Sequence, residues 1–136
     1  MKRYITILFL LFITIGIYAS RYALKSGNIA QAVKEYADAI VIAENSRTAG
    51  SGISGDLLAE YSYALALHHD FEAALVNIDR ARIVGTKYGD FYAAQVLAVM
   101  GYKEAAQQLM RQAKIPEWIS GNYQELTEKY KTTASI

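Results

Sequence analysis

The residues able to do chemistry are few, and their spacing argues against most of it. His68 and His69 are adjacent. Neighbouring positions on a helix point about 100° apart, so the pair cannot easily share one metal ion. No HExxH pattern and no second histidine group accompanies them, and no metal site is expected. Glu35 and Asp38 share a helix face beside Lys34, the pattern of a solvated surface and not of an acid–base pair. Gly50-Ser51-Gly52-Ile53-Ser54-Gly55 resembles a phosphate loop or a nucleophile elbow only in composition. No strand pattern precedes it, and neither GxxxxGK[ST] nor GxGxxG occurs, so it reads as a linker. The chain has no cysteine. That excludes a disulfide framework, cysteine-ligated zinc, a thiol nucleophile and a thioether lipid anchor. The expectation is a non-catalytic protein without metal, cofactor or small-molecule substrate.

Charge narrows the partners. Fourteen Lys and Arg against thirteen Asp and Glu leave a net charge of +1 over 136 residues. A nucleic-acid binder carries a basic face or a high pI, and neither is evident. Hydrophobic residues make up 53% of the chain and proline occurs once, which excludes a disordered segment as the whole.

The N-terminus is positive, at Lys2 and Arg3, and is followed by seventeen uncharged residues from Tyr4 to Ser20. As a helix these span about 25 Å, and Tyr22, Ala23 and Leu24 lengthen the run if Arg21 snorkels to the headgroups. Tyr4, Tyr18 and Tyr22 sit where interfacial aromatics belong. Residues 4–24 are therefore expected to contact a membrane, with residues 1–24 as an anchor. Thr6, Thr14 and Gly16 are the small or polar positions that would face partner helices. A competing reading is a signal peptide cleaved after Ala19, releasing a soluble domain. The slight positive bias of the start favours an N-terminus in the cytoplasm and a single-pass protein of the inner membrane, its C-terminal domain on the periplasmic side.

The remainder repeats itself. Gly27 is followed by Ala32, Tyr36 and Ala39; His69 by Ala74, Ile78 and Ala81; Gly101 by Ala106, Met110 and Ala113. Each turn residue thus precedes Ala, a large apolar residue and Ala at the same three offsets. A tight turn joins two helices, small side chains let them approach, and a large residue fills the groove one turn away. A unit of this kind cannot bury its apolar face alone and must stack on neighbours. Helices are expected over about 3–26, 28–45, 56–69, 71–85, 88–100 and 102–114. A Gly/Ser-rich loop joins the second to the third, and a short helix opens at Asn122. Tyr123, Leu126 and Tyr130 place one apolar stripe on that last helix, as a cap on the final repeat would need. Tyr36, Tyr61 and Tyr130 fall at packing positions.

On these residues the segment from about Ile13 to Pro116 resembles the tetratricopeptide repeat family. Two departures are His69, where the family usually has glycine, and Lys103, where it usually has an aromatic residue. The resemblance implies an all-α fold: an N-terminal transmembrane helix continuing into a short α-solenoid of about three helix pairs over residues 25–116, with a capping helix and tail over 117–136. The first repeat would take its leading helix from about Ile13 to Ser26, so one long helix would serve anchor and array together. Cleavage after Ala19 would remove half of it. In the family the first helix of each pair lines a groove that holds a partner's peptide. On this chain that points to Asp56, Tyr63 and Leu67, with Ala59 and Ala66 between them, and to Tyr88, Phe91 and Gln95, followed by Ala98 and Val99. The same residues would equally serve as packing for the C-terminal segment around Trp118. The implied role is a protein-binding adaptor or assembly factor for a membrane or envelope complex.

Overall fold

A computed structural model describes residues 2–45 and 53–132, with the side chains of residues 2, 5, 6 and 9 excepted. The body of the expected loop, residues 46–52, and the Thr6 side chain lie outside the described residues. Among the described residues the protein is all-α: α1 (Lys2–Lys25), α2 (Ile29–Asn45), α3 (Gly55–Leu67), α4 (Phe71–Val84), α5 (Gly89–Met100), α6 (Lys103–Met110) and α7 (Tyr123–Tyr130), with a single 3-10 turn at Glu117–Ile119. The first six form three antiparallel pairs, α1 with α2, α3 with α4 and α5 with α6. The pairs stack through α2 on α3, α3 on α5 and α4 on α5.

The turns account for the pairing. At the first, Asn28 N donates to Ala23 O at 2.9 Å while Gly27 takes a φ of +81°. Asn28 Oδ1 then accepts from Gln31 N at 3.4 Å and opens α2. The second turn has the same hydrogen-bond pattern, Asp70 N to Leu65 O at 2.9 Å, with His69 at a φ of +62° in the glycine position. A side chain there costs roughly 1 kcal/mol of backbone strain. The His69 ring lies 5.2 Å from Phe71, and its Nε2 donates to Tyr130 O at 2.5 Å. Ser54 caps α3 by accepting from Leu57 N at 3.0 Å.

Five of the six repeated alanines lie where the helices touch: Ala32, Ala39, Ala74, Ala81 and Ala106 are buried, whereas Ala113 lies beyond α6 and is half-buried. Tyr36 and Ile78 fill the intervening groove positions and are buried, whereas Met110 is half-buried. Of the tyrosines expected at packing positions, Tyr61 and Tyr130 are half-buried. α3 is central, with eleven of its thirteen residues buried. Its first residue, Gly55, lies so close to α4 that a Cβ would fall 2.0 Å from the Gly85 carbonyl oxygen.

α1 is unbroken from Lys2 to Lys25 and has two parts. Ile13 and Ile17 pack against the core, and Ser20, Ala23 and Leu24 are buried in it. A Cβ on Gly16 would lie 3.3 Å from Ala39 Cβ, so Gly16 faces α2 within its own chain and not a partner helix. Thr14 Oγ1 donates to Leu10 O at 2.8 Å, back along its own helix. The Gly16–Ala39 contact sets the antiparallel register and brings Asn45, the end of α2, level with about residue 10. About eight residues of α1 therefore project beyond α2, roughly 12 Å of helix. Leu8, Leu10, Leu11 and Phe12 are about half exposed around this end. Among the described residues no helix is long and apolar enough to cross a membrane.

Two expectations about element ends are corrected. α6 stops at Met110 and not near residue 114. Only Ala106 of α6 is fully buried, and Leu109, Met110 and Ala113 pack against the core only in part, so the last turn is weakly held. α7 does not seal α6 either; it lies against α5 and α3. A cavity of about 880 Å³ remains between α7 and the α5–α6 pair.

Candidate functional site

The side chains of α3 and α5 that point away from their partner helices form one continuous face, and the C-terminal segment runs along it. Trp118 lies at one end and Thr132 at the other. Trp118 Nε1 donates to Tyr92 Oη at 3.0 Å. The Tyr123 ring meets Phe91 edge-on, with centroids 5.0 Å apart. Thr127 Oγ1 donates to Gln95 Oε1 at 2.9 Å. With its one hydrogen spent there, Thr127 accepts from Tyr63 Oη at 2.9 Å. Tyr130 Oη donates to Gly27 O at 3.2 Å, and Thr132 N to Val99 O at 2.8 Å. The segment thus ties α1, α3 and α5 together.

Beneath Trp118 is a buried charge. Glu60, only 2% exposed, sits one turn into α3. Its Oε1 accepts from Arg21 Nε at 2.9 Å and Tyr36 Oη at 2.8 Å, and its Oε2 from Arg21 Nη2 at 2.8 Å. Arg21 does not snorkel towards headgroups; its guanidinium is spent on Glu60 and lies 4.8 Å from the centre of the Trp118 ring. The pairing follows from solvation: a buried carboxylate without a partner costs several kcal/mol, and the bidentate fork supplies two donors at once. Burial pushes the Tyr36 and Tyr92 hydroxyls well above the ordinary tyrosine range, and the Glu60 charge adds to both. Tyr63 is raised by burial too, with Thr127 opposing.

The six residues singled out from the sequence divide among three places. Tyr63, Phe91 and Gln95 are buried under α7. Leu67 is buried in the core at the end of α3. Asp56 and Tyr88 instead line a cleft of about 470 Å³ with Arg21, Glu60, Lys87, Tyr92 and the Pro116–Trp118 turn. Asp56 Oδ1 accepts from Thr86 Oγ1 at 2.5 Å there, and Lys87 Nζ lies 5.2 Å from the Tyr88 ring centre. Two positions on α3 and α5 that line this cleft, Glu60 and Tyr92, were not among the six. Glu60 had a sequence signal, as the one charge inside the apolar run Leu57 to Leu67.

General acid–base work needs a carboxylate able to exchange its proton with a substrate. Glu60 accepts three hydrogen bonds and is closed off, and Asp56 faces Thr86 at the rim. Among the described residues no group of three or more His, Asp or Glu is placed to hold a metal ion. The chain matches no protein-family model, no curated protein and no solved structure. What the face offers is hydroxyl, amide and aromatic groups set along two parallel helices, and these hold the chain's own C-terminal segment.

Proposed function

We propose that this protein is a membrane-anchored, non-catalytic adaptor or assembly factor. Its helix pairs act as a small tetratricopeptide-like solenoid that binds a segment of a partner protein belonging to a membrane or envelope complex. The observation that carries the reading is α1. One unbroken helix supplies both the packed face of the first pair and a projecting apolar end. The seventeen uncharged residues from Tyr4 to Ser20 would enter a single-pass inner-membrane anchor, with the helix pairs on the periplasmic side. The projecting part alone measures about 12 Å against about 30 Å of hydrocarbon. Full insertion would thus require α2 to part from α1 as far as Ser20, which is buried in the packed state.

The soluble alternative, cleavage after Ala19, fares less well. It would remove Ile13, Gly16 and Ile17 and uncover the face of α2 around Ala39. The test is alkaline carbonate extraction of native membranes, followed by purification of the tagged full chain in mild detergent and mass spectrometry. Retention in the membrane pellet with a stoichiometric partner supports the proposal. Recovery from the soluble fraction, alone, overturns it.

A further inference from the structure

α7 is held differently from the other helices. Eight residues are too few for a helix to persist alone in water. It buries only Tyr123, Leu126 and Thr127. Much of its grip is polar: Tyr63 Oη and the Gln95 amide on Thr127, His69 Nε2 on the Tyr130 carbonyl, and Tyr130 Oη on the Gly27 carbonyl. Water can satisfy each of those groups if α7 leaves, so the exposed face would carry no orphaned donor. The flank of α7 towards α6 is open, since the cavity of about 880 Å³ runs between Gln124, Thr127 and Glu128 of α7 and Ala98 and Ala106 of the α5–α6 pair. The helix therefore buries few residues of its own and has space beside it into which to shift.

We infer that α7 is a resident ligand of the α3–α5 face, displaced by a helical segment of a partner protein. The segment is specified by what α7 presents: an aromatic residue, Leu three positions on, Thr or Ser four on and Tyr seven on. The hydroxyl bridges Tyr63 and Gln95, the aromatic ring meets Phe91 edge-on, and the final Tyr reaches the Gly27 carbonyl. This inference rests on the protein-binding reading above and names the chemistry of the partner. Because the face is occupied, a partner's apparent affinity is its intrinsic affinity reduced by the fraction of molecules with α7 released.

Two measurements on the full chain test it. In native-state hydrogen exchange, the amides of α7 are expected to open at least about tenfold more often than those of α3 and α5. Equal protection would make α7 part of the cooperative core and overturn the inference, and this readout needs no variant. The second uses a labelled synthetic peptide of residues 119–132. Thr127→Val with Tyr130→Phe in the chain weakens the resident helix and leaves the face intact. The peptide should bind this variant at least about tenfold more tightly than the native chain, by the occupancy argument. Gln95→Leu added to that variant should remove the gain. Equal peptide affinity for native and variant chains overturns displacement. If these results hold while no membrane partner is found, the adaptor function falls and the displaceable helix stands.

Discussion

Arg21→Met removes the guanidinium from Glu60 and keeps most of the aliphatic stem. Glu60 then retains one donor, Tyr36 Oη at 2.8 Å, for a carboxylate whose side chain is 3% exposed. Stripping one partner from a buried ion pair costs about 3–5 kcal/mol. Arg21 keeps 29% of its side-chain exposure, so part of its attraction is already screened. The expected loss is about 2–4 kcal/mol, including the contact with Trp118. Glu60→Gln in the same chain abolishes the stranded charge and still offers Tyr36 an acceptor. The double variant should regain at least about half of the loss, a coupling of roughly 1–2 kcal/mol. The assay is urea unfolding of the full chain in mild detergent, followed by far-ultraviolet circular dichroism, with the slope against denaturant unchanged between variants. A single-variant loss below about 0.5 kcal/mol, or strict additivity of the two substitutions, would refute the idea that Arg21 compensates a desolvated carboxylate.

Further outcomes follow from the packing. Ala74→Glu places a carboxylate at a fully buried helix contact and should cost about 3 kcal/mol or more; a native-like thermal transition would refute the register. Gly55→Ala drives a methyl into the Gly85 carbonyl and should lower the melting temperature markedly, while Gly121→Ala, with nothing within 4 Å, should leave it nearly unchanged. Tyr36, Tyr63 and Tyr92 have folded pKa values raised by burial. Their neutral forms are favoured by folding, so their contribution is full below the unfolded value of about 10 and is lost as pH rises above it. A pH titration should therefore show helix loss coinciding with late tyrosinate absorbance, and ionisation of all eleven tyrosines near the free value would contradict the burial.

The helix pairs were legible because their signals are local. Turn residue, alanine and large apolar residue lie within one helix of each other, and Ala32, Tyr36, Ala39, Ala74, Ile78 and Ala81 are buried as that spacing requires. His69 was legible as a departure, and its positive φ shows that the turn kept its shape without glycine. Arg21 was not legible. Read against its neighbours it is a basic residue after an apolar run, and the partner that turns it inward lies thirty-nine residues away. The candidate groove was half legible for a similar reason. Tyr63, Phe91 and Gln95 share a face by helix periodicity, which allowed either a partner's groove or packing for the C-terminal segment; the structure has the C-terminal segment there, a choice that only long-range contacts decide. The end of α6 was overestimated because the repeat spacing carries no information about whether another helix follows to hold its last turn.

The bond from Tyr130 Oη to the Gly27 carbonyl joins residues 103 positions apart, across the whole stack of helix pairs. Repeat proteins commonly evolve by duplicating or losing units, since each unit touches only its neighbours. In this chain that freedom would cost the tether. Inserting one more pair would add a helix layer about 8–10 Å thick and carry Gly27 out of Tyr130's reach. The fold behaves as a ruler read at both ends, its number of units fixed by a strap of set length. Homologous chains with a different number of pairs are therefore expected to have lost the Tyr130 tether, and those that keep it to have kept the length.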